Sequence, residues 1–111
     1  MAFDEGLAQR IREHWSHNVA FNEKRMFGGL AFLIREHMAV GILGDSLMAR
    51  VGRSFDTEAL ALPHVKPMDF TGRLMRGIVI VMPEGFETDA QLAMWLDRCR
   101  TFVSELPDKQ P

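Results

Sequence analysis

One cysteine, Cys99, stands in a chain of 111 residues. It has no intrachain disulfide partner, so the fold cannot depend on bridges, and a lone thiol fits a reducing compartment. No apolar run approaches the ~20 residues of a membrane-spanning helix. The opening MAFDEGLAQR lacks the apolar segment of a secretory signal, which makes the cytoplasm the default location. A basic excess is also missing. The formal charge is −2, whereas nucleic-acid binders carry a pronounced positive balance. The asymmetry along the chain is mild: +2 over residues 19–82 and −3 from residue 83 onward. It permits a local basic patch without requiring one.

Hydrophobic residues make up 47% and charged residues 25%, ordinary globular values that exclude disorder. The length predicts one domain, 1–106, followed by a loose tail, 107–111.

The period of the apolar residues predicts the elements. Phe3, Leu7, Ile11 and Trp15 recur every fourth position. This is an amphipathic helix over 4–17, capped by Asp4 and left through Asn18. The period then becomes two. Leu30, Phe32 and Ile34 form one strand, Met38, Val40 and Ile42 a second, and Leu47, Ala49 and Val51 a third. Short turns at Glu36-His37 and Gly44-Asp45-Ser46 make these an antiparallel meander. A short strand around 24–27 leads in. Ser54 caps a brief helix over 55–62 that stops before Pro63. Residues 63–73 read as irregular because of Pro63, Pro67 and Gly72. Residues 75–82, apolar on both faces around Ile78-Val79-Ile80-Val81, form a strand interior to the sheet. Leu92, Trp95, Leu96, Cys99, Phe102, Val103 and Leu106 define a final helix, capped by Asp89 and ended by Pro107. The result is an α+β domain, ordered α-β-β-β-α-β-α, with helices packed on a mainly antiparallel sheet. Trp15, Phe32, Ile80, Trp95, Leu96 and Phe102 are the expected core.

Signals for catalysis are sparse. His14 and His17 share a helix face, but no HExxH or CxxC spacing supplies the further ligands zinc requires, so no metal or cofactor is expected. Cys99 lies on the apolar face of its helix, where cysteine acts as a small hydrophobe. No Gly-x-Ser-x-Gly elbow or phosphate loop is present, so no catalytic residue is assigned. Eight methionines, several within or beside the strands, suit core filling or an adaptable binding surface. The remaining constellation is Arg25-Met26-Phe27-Gly28-Gly29 with Gly72-Arg73-Leu74-Met75-Arg76-Gly77. If these turns converge, Arg25, Arg73 and Arg76 could hold a small anion or nucleotide. Otherwise they are solvated arginines at a sheet edge.

These residues also carry a resemblance. The Met-Phe-Gly-Gly element is followed by Phe32, Gly44-Asp45, Leu47, Ala59-Leu60-Ala61-Leu62-Pro63 and Pro67. Gly72-Arg73, Met75, Gly77 through Val81, Trp95-Leu96 and Leu106-Pro107 complete the pattern. The chain resembles the TfoX N-terminal domain, or Sxy-type competence regulator, family. The resemblance implies a bacterial α+β domain similar to secretion-chaperone-like folds, linked to transcriptional control of DNA uptake. It implies no catalytic residues. Full-length competence regulators add a helix-hairpin-helix domain beyond this region. The expectation is therefore a non-enzymatic regulatory domain that binds a protein partner or itself. Tight duplex DNA binding is not expected of it alone.

Overall fold

Helix α1 (Glu5–Trp15) begins where Asp4 leaves extended backbone and accepts from the amides of Gly6 and Leu7. The computed structural model to which α1 belongs describes residues 3–17, 19–26, 28–70 and 73–107, with side chains omitted at 69–70 and 73–75. The expected exit through Asn18 lies outside the described residues. Leu7, Ala8, Ile11 and Trp15 form the buried stripe that the four-residue spacing predicts. Phe3 bridges to Gly44, and the Asp4 amide donates to the Gly44 carbonyl at 2.7 Å.

Six strands follow: β1 (Asn22–Met26), β2 (Gly29–Ile34), β3 (His37–Leu43), β4 (Ser46–Arg50), β5 (Val65–Phe70) and β6 (Arg73–Val81). The short helix α2 (Asp56–Leu60) separates β4 from β5. A 3₁₀ turn at Pro83–Gly85 precedes the last helix, α3 (Asp89–Ser104). One antiparallel sheet results, in the order β1-β2-β3-β4-β6-β5.

The register separates the two faces. Arg25, Leu30, Ile42, Leu47, Val81 and Val65 stand opposite one another across all six strands. Leu30, Ile42, Leu47 and Val81 belong to the main core, with Trp15 from α1 and Trp95, Leu96 and Cys99 from α3. One residue along, the row is Lys24, Ala31, Gly41, Met48, Ile80 and Lys66. On that face Met48, Met68 and Ile80 form a smaller cluster, flanked by half-buried Met38, Leu43, Ile78 and Met82. The methionines thus divide. Met48 and Met68 fill the cluster, Met26 is exposed, and Met75 falls outside the described side chains.

The α+β class and the meander hold, with six strands in the order α-β-β-β-β-α-β-β-α. Several details differ from expectation. The lead-in strand is a full edge strand, Asn22–Met26. Residues 65–70, expected to be irregular, form edge strand β5. Pro67 is accommodated there because an edge strand need not donate from every amide, and a bulge follows it. The β2–β3 hairpin turns at Arg35-Glu36, with φ of 53° and 71° and Ile34 paired to His37. Both positive angles are those a type I′ turn requires. Helix α2 starts after Phe55 with no side-chain cap, so Ser54 does not cap it. Thr88, not Asp89, caps α3, in a reciprocal capping box with Gln91. Five of the six expected core residues are buried, whereas Phe102 is half-buried at the edge of the core. Of the expected tail, only Pro107 is described, and its carbonyl accepts from His37 Nε2 at 2.7 Å.

Candidate functional site

The best organised polar cluster lies where the end of β4 meets a kink in β6. Gly77 has φ of +87°, which strains any side chain, and it bends β6. Its carbonyl accepts from the amides of Val51 (2.9 Å) and Gly52 (3.0 Å). Its own amide donates to Asp56 Oδ2 at 3.2 Å. The turn between β4 and α2 is thereby fixed to the kink.

Asp56 is 2% exposed. It also accepts from Arg76, Nε to Oδ2 at 2.7 Å and Nη2 to Oδ1 at 3.4 Å. The Arg76 hydrogen bond, reinforced by the Gly77 amide, lowers the Asp56 pKa to about 2 against the opposing cost of burial. Asp56 is thus an anion at neutral pH that orients Arg76, whose side chain remains half exposed.

Arg76 borders a concavity of about 360 Å³ lined also by Arg50, Gly52, Arg53, Gly77, Ile78 and Phe102. Arg50 donates to the Met38 carbonyl (3.3 Å), and its guanidinium lies 5.7 Å from the Phe102 ring centre. Arg53 is exposed and makes no hydrogen bond or ion pair among the described residues. Nearby, Arg98 stacks on Phe55 at 3.7 Å.

The three arginines expected from sequence do not share this site. Arg76 is in it. Arg73 starts β6, with its side chain outside those described. Arg25 lies on β1, four strand spacings from β6, or roughly 19 Å across the sheet. Its guanidinium covers the Phe3 ring at 5.5 Å. Arg50 and Arg53 take their place. Their signal was present in Arg50-Val51-Gly52-Arg53, a third stretch of arginine beside glycine.

A second concavity, about 260 Å³, lies between α1 and α3 and includes Arg10, His14 and Asp89. Its basic groups are already matched. Arg10 reaches Asp89 at 3.5 Å, and His14 Nε2 lies 3.0 Å from Asp97 Oδ1. His17 is exposed. No three His, Cys, Asp or Glu side chains among the described residues are grouped to hold a metal. Cys99 is fully buried, and burial pushes its pKa up to about 12. No helix among the described residues is long and apolar enough to cross a membrane.

The fold and site define a small α+β domain organised around an arginine-bearing kink. The family model for the TfoX N-terminal domain matches residues 14–103, and the chain belongs to that family. No curated protein and no solved structure matches it.

Proposed function

We propose that this chain is a non-enzymatic regulatory domain that works by recognition, with a protein partner or a second copy of itself as its target. Family membership supports a role in the control of DNA uptake, at the level of transcription. The observation that carries the reading is the state of Cys99 and Asp56, two of the buried ionisable groups among the described residues. Cys99, with a pKa near 12, holds almost no thiolate at neutral pH. Asp56, near 2, has its lone pairs engaged by Arg76 and Gly77 and cannot trade protons near pH 7. Both groups serve structure, and this supports recognition at the surface as the domain's mode of action.

The test is deletion of the gene in its native host, with complementation. Transformation frequency and transcripts of the uptake machinery should fall and be restored by the wild-type chain. Unchanged levels would overturn the link to DNA uptake.

A further inference from the structure

We propose that the concavity between Arg50, Arg53 and Arg76 binds a small phosphorylated molecule, its phosphate held by the guanidiniums and its organic body lying along Ile78 and Phe102. This goes beyond the regulatory reading by giving the domain a small-molecule input.

The first argument is uncompensated charge. Three arginines line the space, and Asp56 is the one carboxylate engaging them among the described residues. Arg50 bonds a neutral carbonyl, and Arg53 bonds nothing described. In the concavity between α1 and α3, by contrast, Arg10 and His14 each face an aspartate. Cations held together without matching acids repel one another, and an entering anion relieves that repulsion.

The second argument is preorganisation. Asp56 fixes Arg76 from one side and leaves its remaining N–H groups open. Phe102 and the Met38 carbonyl hold Arg50. The turn bearing Arg53 is tied to Gly77 by two backbone hydrogen bonds and closed by a third, from Phe55 to Gly52. A ligand entering such a site orders few side chains.

The third argument concerns which anion. Arginine forks suit phosphate oxygens, and a phosphate monoester offers three terminal oxygens and a charge near −2. A carboxylate offers two oxygens and one charge. The volume, about 360 Å³, falls in the range of small-molecule sites and exceeds the needs of a bare phosphate. Half-buried Ile78 and Phe102 supply an apolar wall for the remainder.

The test is isothermal titration calorimetry of the whole chain at low salt, with AMP, inorganic phosphate and adenosine as probes. Arg53→Gln is the primary variant, because its exposed side chain makes no described bond and its loss leaves folding intact. Arg50→Gln is the second, and Lys24→Gln on β1 is the control. AMP should bind saturably, more tightly than phosphate, and adenosine should not bind. Each arginine variant should weaken AMP roughly tenfold or more, as expected for a lost charge-assisted hydrogen bond. Lys24→Gln should bind like wild type. No saturable binding of AMP or phosphate would overturn the site, as would full binding by Arg53→Gln or equal weakening by Lys24→Gln. Phosphate binding as tightly as AMP would overturn the role of Ile78 and Phe102.

Discussion

Asp56 and Arg76 form an ion pair with unequal exposure: the carboxylate is 2% exposed, and the arginine side chain is half open to solvent. The pair gives the fold an acid-sensitive joint. The folded pKa of Asp56, about 2, lies below its ordinary 3.8, so its contribution is fully present above the ordinary value. It is lost as pH falls through the window from about 4 to about 2. Thermal melts followed by circular dichroism from pH 7 to pH 2 should show this decline. Asp56→Asn should melt lower at neutral pH and lose part of the acid dependence. An identical pH profile for the two proteins would refute the assignment.

Cys99 should be inert in the native protein. Its thiol is buried, and its pKa is pushed up to about 12. Iodoacetamide at pH 8 should label it only after denaturant is added, and labelling should track unfolding. Rapid modification under native conditions would place Cys99 elsewhere.

Gly29 is required for close approach rather than for a turn. A Cβ at this position would overlap the Ile42 carbonyl oxygen of the neighbouring strand. Backbone cannot move aside as a flexible side chain can. Gly29→Ala should therefore cost about 3 kcal/mol in urea unfolding, comparable to cutting a large core residue. A cost within about 0.5 kcal/mol, typical of surface changes, would contradict this.

The Met-Phe-Gly-Gly motif showed a glycine pair of the kind that close strand packing uses, and the register supplies the particular neighbour, Ile42. Long periodic segments were the most legible. The stripe of α1 and the apolar face of α3 each commit several residues to one direction, so the period survives local exceptions. Strand β5 was hidden because an edge strand buries little and Pro67 mimics a loop. The Arg35-Glu36 turn was displaced by one residue because neither residue ordinarily favours positive φ. Arg50 and Arg53 join Arg76 only through the antiparallel pairing of β4 with β6, a non-local fact that no window of sequence contains.

Arg35 also finishes a helix to which it does not belong. Its guanidinium donates to the carbonyls of Val103 (3.1 Å), Ser104 (3.2 Å) and Leu106 (2.7 Å) at the end of α3. The Val103 carbonyl also accepts from the Leu106 amide at 3.1 Å, and a cation suits that end of the helix dipole. Arg35→Ala should cost about 1–2 kcal/mol and speed amide exchange in the β2–β3 turn and the last turn of α3 together. Exchange that changes in the turn alone would show that the two are not coupled.

Duplex DNA should bind weakly. The net charge of −2 opposes the phosphate neutralisation that supplies most non-specific affinity. Fluorescence anisotropy at ~0.15 M salt, where fields are screened beyond ~8 Å, should give no sub-micromolar affinity. A sub-micromolar dissociation constant would disprove this.

The sheet ends on two strands poorly suited to recruiting another. β1 carries Glu23, Lys24 and Arg25 in succession, all exposed. β5 carries Lys66 and Pro67, with a bulge immediately after. Charge on one border, and a missing donor with a broken ladder on the other, discourage the edge-to-edge growth that leads to aggregates. Pairing through the edges is thereby disfavoured, while the faces of the sheet and the arginine-lined hollow stay available for contact.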